Sequence, residues 1–175
     1  MPRFQFEDRA PVVHPEAFVA PTATLVGDVY VGAGASIWFG VVLRADVAPI
    51  LVREGATVQD AAVVYASPGL TVDIGAGATI GTGAVVRGAV IEAGAVVGTC
   101  AVVLDAATLG AGSFIAAGSV VAARTTVPAG YLAAGSPAVA RRPVAGTPGE
   151  ILVATSAEDA ADLAERHRTG LVSGG

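Results

Sequence analysis

The sequence predicts an all-β solenoid of about seven triangular coils, followed by one C-terminal α-helix. Two observations carry this expectation. A β-branched residue or leucine recurs every six positions over most of the chain, usually followed by a small residue or glycine. Hydrophobic residues make up 53% of the chain while aromatics are only 5% and glycines number 23, so the interior must be built from small branched side chains. A six-residue beat fits neither the 3.6-residue period of a helix nor the two-residue alternation of a hairpin strand. A short strand and a corner, repeated on three faces, close a coil of about eighteen residues, the signature of a repeat architecture.

Residues 1 to 12 read as a lead-in to the solenoid, which is expected over 13 to 132. The beat opens with Val13, Val19, Leu25, Val31, Ile37 and Leu43, and resumes at Val52 and Val58. It continues through Ile74, Ile80 and Val86, then Ile91, Val97, Val103, Leu109, Ile115, Val121 and Val127. Each anchor should point inward and stack on its equivalent one coil away. Gly32, Gly75, Gly81, Gly98 and Gly110 follow anchors directly and read as corner positions where a side chain would be crowded. Three intervals break the beat: nine residues from Leu43 to Val52, sixteen from Val58 to Ile74, and five from Val86 to Ile91. Insertions in solenoids map to loops and often flank binding surfaces, so Pro49, the region of Tyr65 and Leu70 to Asp73 are places to inspect.

Residues 133 to 155 are rich in Gly and Pro and read as a meandering link. Ser156 with Asp159 three residues later opens a capped helix expected over 156 to 169, with Ala160, Leu163, Ala164 and His167 toward one side. Residues 170 to 175 are expected to be a disordered tail.

Composition excludes several function classes. A mean hydropathy of +0.67 with 14% charged residues is incompatible with wholesale disorder. Neither a membrane-spanning run nor a signal-peptide pattern is present, and the single Cys100 has no disulfide partner in the chain, which together predict a cytoplasmic protein. Ten arginines face 15 acids, for a net charge of −5 and no basic cluster, so neither nucleic acid nor membrane is an expected partner. His14 and His167 are too few and too far apart for a histidine metal cluster within one chain, and Cys100 reads as a packed, inert thiol. Flat apolar faces predict a homotrimer, with any pocket between subunits.

The segments Val41-Val42-Leu43-Arg44-Ala45-Asp46, Thr57-Val58-Gln59-Asp60, Thr79-Ile80-Gly81-Thr82-Gly83-Ala84, Val103-Leu104-Asp105-Ala106 and 128 to 138 resemble the gamma-class carbonic anhydrases, over roughly residues 10 to 150. The resemblance implies a left-handed β-helix trimer with zinc held between subunits by three histidines, and hydration of carbon dioxide by zinc-bound hydroxide. The three ligand positions fall at Tyr65, Thr82 and Arg87, and none is histidine. Threonine is a poor zinc ligand and arginine none, so classical carbonic anhydrase activity is not expected. The resemblance also implies a structural salt bridge for Arg44 and Asp46, and a substrate-side contact for Gln59.

Without the metal, Arg87 offers a planar cationic fork and Tyr65 a phenol, a pair suited to a carboxylate or enolate oxygen. Asp60 could then move a proton, with Gln59, Thr82, Arg87 and Trp38 binding the substrate. The expectation is a metal-free and cofactor-free enzyme of lyase, isomerase or decarboxylase type, acting on a small anionic molecule. Three alternatives stand beside it: a non-catalytic assembly protein in which Arg87 and Tyr65 replace zinc as interface contacts, an acyltransferase, and a carbonic anhydrase with an unusual metal site built from Asp46, Asp60 and Tyr65.

Overall fold

A computed structural model describes residues 2–171. The chain winds into a left-handed parallel β-solenoid of about seven triangular turns, and a single helix, α1 (Gly149–Gly170), follows it. The expected anchors are the core: Leu25, Ile37, Leu43, Val58, Ile74, Ile80, Val86, Val97, Val103, Leu109, Ile115 and Val121 are all fully buried. Each fully buried Leu, Ile or Val contributes roughly 1.5–3 kcal/mol relative to exposure, so the stack of anchors is the main stabilising term. Two positions before most anchors stands an alanine that is also fully buried, such as Ala35, Ala56, Ala78 and Ala95, because the corner leaves room for one methyl.

The six-residue spacing fixes three faces through parallel register. On the first face the outward residues are Val42, Val63, Val85, Val102 and Val120, a valine ladder in adjacent coils. The second carries Val12, Tyr30, Leu51, Asp73, Val90, Thr108 and Thr126. The third carries Phe18, Ser36, Thr57, Thr79, Val96, Phe114 and Leu132, and α1 packs along its first three rows. Corners are tight where glycine follows an anchor: a Cβ on Gly81 would lie 2.6 Å from the Val97 carbonyl oxygen, and one on Gly75 2.7 Å from the Ala93 amide nitrogen.

The interruptions have structural causes. The nine-residue interval lies within one long strand, Val42–Val52, that turns a corner without breaking and pairs with Thr24–Val31 across a register shift between Gly27 and Val29. The sixteen-residue interval contains a loop pinched by an antiparallel bridge between Ser67 and Leu70. At the five-residue step, Gly88 adopts φ +46° and a Cβ there would meet Asp105 Oδ1 at 2.8 Å.

Both ends differ from expectation. Within the lead-in, Arg3–Phe4 pairs in parallel with Leu25 and Val26, covering an edge that would otherwise be open. The expected link contains an antiparallel pair, Tyr131–Gly135 with Ala138–Pro143, which continues the third face and closes its last edge. Helix α1 starts at Gly149, seven residues before the expected position. Ser156 does not cap it: its hydroxyl donates back to the Leu152 carbonyl inside the helix. The Gly149 amide instead donates to Thr147 Oγ1 at 3.2 Å, and Gly146 N donates to Glu150 Oε2 at 2.8 Å. Of the expected tail, residues 172–175 lie outside the described residues. Among the described residues, no helix is long and apolar enough to cross a membrane.

Candidate functional site

Two clusters of polar side chains emerge, and they lie in different places. The first follows directly from register on the valine-ladder face, where Arg44, Tyr65 and Arg87 occupy equivalent positions in successive coils. The guanidinium carbons of Arg44 and Arg87 lie 5.3 and 5.4 Å from the Tyr65 ring centroid, within cation–π range. Arg44 pairs with Asp46 at 3.4 Å within its own chain. Arg87 Nε donates to Ser67 Oγ at 3.0 Å and lies 3.0 Å from Asp105 Oδ1, while Ser67 Oγ donates to the same carboxylate oxygen at 2.6 Å. The long loop after Tyr65 thus serves to deliver Ser67 to Arg87.

The second cluster lies between α1 and the third face. A cavity of about 520 Å³ is lined by Trp38, Phe39, Gln59, Asp60 and Thr82 from the coils, and by Leu152, Ser156, Asp159, Ala160, Leu163 and His167 from α1. Helix α1 buries Gly149, Ala160 and Ala164 against the coils, and this contact carries His167 back to the opening turns. The imidazole sits in an aromatic box, with ring centroids 5.2 Å from Trp38, 5.8 Å from Phe39 and 5.9 Å from Phe18. Trp38 is held in turn: its Nε1 lies 3.1 Å from both Ser36 Oγ and Thr57 Oγ1, two buried hydroxyls that are themselves 2.8 Å apart. Gln59 Oε1 accepts from the Thr82 amide at 3.1 Å and from Thr82 Oγ1 at 3.3 Å, which fixes the carboxamide at the cavity wall.

The expected site residues are therefore divided. Gln59, Asp60, Thr82 and Trp38 share the cavity, while Tyr65 and Arg87 do not line it. Asp60 is not brought to the Arg87 and Tyr65 pair within one chain, and Arg87 already has Asp105 and Ser67 as partners. His167, placed by the sequence on the same helix side as Ala160 and Ala164, lines this cavity, a position that sequence reasoning missed. Its spacing from Ala160 and Ala164 was the available signal, since it shares their helix face. His14 is exposed and lies in a separate groove of about 310 Å³ with Tyr30 and Arg53. Arg53 there makes a bidentate pair with Asp73 at 2.8 and 2.7 Å, which raises its pKa. Cys100 is exposed at a corner with φ +55°, not packed as expected, because the left-handed turn directs its side chain outward. Among the described residues of one chain, no group of three or more His, Cys, Asp or Glu is placed to hold a metal ion. Tyr65, Thr82 and Arg87 are an unsuitable ligand set by their own chemistry.

No family model matches the chain. A segment of 58 residues is 52% identical to gamma carbonic anhydrase 1, mitochondrial, of Arabidopsis thaliana, covering 33% of this chain and 21% of that relative's length. The similarity to a solved hexapeptide transferase family protein from Anaplasma phagocytophilum extends over nearly the whole fold, at 35% identity and TM-score 0.89, covering 94% of this chain and 96% of the other. PerB from Caulobacter crescentus, solved with CoA and GDP-perosamine, matches at 28% identity and TM-score 0.56, over 75% of this chain and 56% of that one. These matches overturn the expectation of a metal-free proton-transfer enzyme of lyase, isomerase or decarboxylase type. One of these solved relatives is a hexapeptide transferase family protein and the other holds CoA, and together they favour the acyltransferase alternative. The chain belongs to the hexapeptide-repeat family of left-handed β-helix proteins, as a gamma-carbonic-anhydrase-like member without the histidine ligands of zinc.

Proposed function

We propose that this protein is an acyltransferase that moves an acyl group from a CoA thioester to a small acceptor held beneath α1, working as a cytoplasmic homotrimer. The observation that carries this reading is His167, a base delivered by α1 into a cavity with Gln59, Asp60, Thr82, Ser156 and Asp159. A ring nitrogen of His167 accepts the proton of the acceptor's hydroxyl or amine as that atom attacks the thioester carbonyl. The carbon–sulfur bond then breaks, and the imidazolium returns the proton to the departing thiolate. Packing against Trp38, Phe18 and Phe39 fixes the ring plane, which holds the base at one position for the transfer.

Charge distribution supports a CoA ligand. Residues 106 to 149 contain Arg124, Arg141 and Arg142 and no acid, in a chain of net charge −5. All three arginines are exposed on the last coils and the terminal strand pair, a local positive end suited to the phosphates of CoA. The valine ladder, flanked by the Arg44, Tyr65 and Arg87 stack, supplies the apolar face for packing between subunits.

Thiol release from acetyl-CoA and longer acyl-CoA esters, measured against a panel of hydroxyl and amine acceptors, tests the reading. Acceptor-dependent release is expected, and His167→Asn should lower kcat/KM by about 100-fold or more with an unchanged melting temperature. Release no faster than spontaneous hydrolysis with every acceptor, or a fully active His167→Asn variant, would overturn it.

A further inference from the structure

We infer that the cleft along one edge of α1 is the channel for the pantetheine arm of the CoA thioester, which enters beside Ala117 and ends with its sulfur near His167. The inference deepens the acyl-transfer reading and rests on it for the chemistry at the sulfur, but the channel itself follows from the register of the coils. Phe39, Asp60, Thr82, Thr99 and Ala117 are equivalent corner residues of successive coils: the carbonyls of the first four accept the amides of Ala61, Gly83, Cys100 and Gly118, each one residue past the next corner. At about 4.8 Å per coil this column is about 19 Å long. Facing it, Leu152, Ser156, Asp159, Leu163 and His167 recur at three- and four-residue spacing and form one stripe of α1. The first three corner residues line the cavity that holds His167, whereas Thr99 and Ala117 line a narrower one of about 160 Å³. Gln59, Leu152 and Ser156 belong to both, so the two cavities are segments of one cleft.

The narrow segment has the chemistry of the arm. Val96, Phe114 and Leu152 give it apolar walls, and among the described residues no ionisable group lines it. Its floor includes Gly81 and Gly98, where a Cβ would lie 2.6 and 2.5 Å from the Val97 and Ile115 carbonyl oxygens, so the floor stays at backbone level and admits a slender chain. Gln59 stands one coil before Gly81, and its Oε1 accepts the Thr82 amide at 3.1 Å. Gly81 brings no such group to the Thr99 amide, which is left to donate to a carbonyl of the arm. Charge fixes the direction. Asp60 and Asp159 line the His167 segment and not the narrow one, so a diphosphate is repelled from that end. Beyond the narrow segment, Arg142 pairs with Leu132, which follows Phe114 in register, so the guanidinium stands on the same face two rows on. Extended pantetheine measures about 16 Å from sulfur to the first phosphorus, so a sulfur near His167 leaves the diphosphate at the Ala117 end, toward Arg142.

Isothermal titration of the full-length protein with CoA, and with adenosine 3′,5′-bisphosphate, which keeps the nucleotide and lacks the arm, tests the channel. Ala117→Phe and Leu152→Trp, at exposed positions on its two walls, should each weaken CoA about tenfold or more, by filling the cleft, and leave the bisphosphate within about twofold. Val90→Phe, exposed on the second face, should change neither affinity, and all three variants should melt as the wild type does. CoA affinity unchanged in both cleft variants, equal weakening of CoA and the bisphosphate, or the same loss in Val90→Phe would overturn the inference. No thioester is present, so this titration and the thiol-release assay fail separately. Acceptor-dependent thiol release with CoA affinity indifferent to the cleft variants refutes the channel alone, and CoA binding that the cleft variants weaken, without turnover on any acceptor, refutes acyl transfer alone.

Discussion

Arg87 stands where the resemblance would put a zinc ligand, yet it is the centre of a polar network that ties three coils together. Its Nε reaches both Ser67 Oγ and Asp105 Oδ1, and its guanidinium lies over Tyr65. The pair is 41% and 30% exposed, so solvent screens it and its contribution is at most about 1 kcal/mol. Replacing Arg87 by Ala should therefore lower stability by about 1 kcal/mol or less in urea denaturation; a loss above about 3 kcal/mol would show that the network is a buried keystone. Trp38 is a different case, 5% exposed and hydrogen-bonded to two buried hydroxyls, and Trp38→Ala should cost about 3–5 kcal/mol. The identities of Arg87 and Trp38 were legible in the sequence, but their partners were not. Asp105 lies a full coil beyond Arg87, and Ser67 arrives through a loop that interrupts the beat, so no local spacing connects them. His167 was illegible as a cavity residue for the same reason, since its position depends on where α1 docks.

At the scale of the element, the six-residue beat made the coils readable because each inward anchor must be branched and each crowded corner must be small. Gly81→Val places its Cβ 2.6 Å from the Val97 carbonyl oxygen, and this should destabilise the protein by about 2 kcal/mol or more. Gly55 has φ +63° and no atom within 4 Å of where a Cβ would stand, so Gly55→Asn, a residue that tolerates this conformation, should cost less than about 1 kcal/mol. Thermal melts of the two variants side by side separate crowding from backbone preference. The start of α1 was misread because Ser156 and Asp159 mimic a capping pattern, whereas Ser156 bonds back within a helix that had already begun. The terminal strand pair was hidden by its glycines and prolines, which signal turns without showing that short strands flank them. Only Gly149, Ala160 and Ala164 of α1 are buried, and repeat solenoids rely on neighbouring coils for stability. A chain ending at residue 148 should keep the β-rich circular dichroism spectrum and a cooperative melt while losing acyl transfer, since it lacks His167.

The whole molecule combines an apolar valine face, a helix-covered face that holds the cavity, and last coils and a terminal strand pair that carry Arg124, Arg141 and Arg142 in a segment, 106 to 149, with no acid of its own. The valine face should bring three chains together, so native mass spectrometry should report a species three times the 17.1 kDa chain mass. The charge asymmetry was present in the sequence, but a net charge of −5 concealed it until the last coils were seen as one end of a prism. The central claim is that this scaffold, without zinc ligands, serves CoA chemistry. Isothermal titration of CoA into the full-length protein tests it most directly. The account predicts one saturable site per chain, with affinity lowered at least tenfold in an Arg124→Ala, Arg141→Ala, Arg142→Ala variant; no heat of binding, or an affinity indifferent to the loss of those arginines, would contradict it.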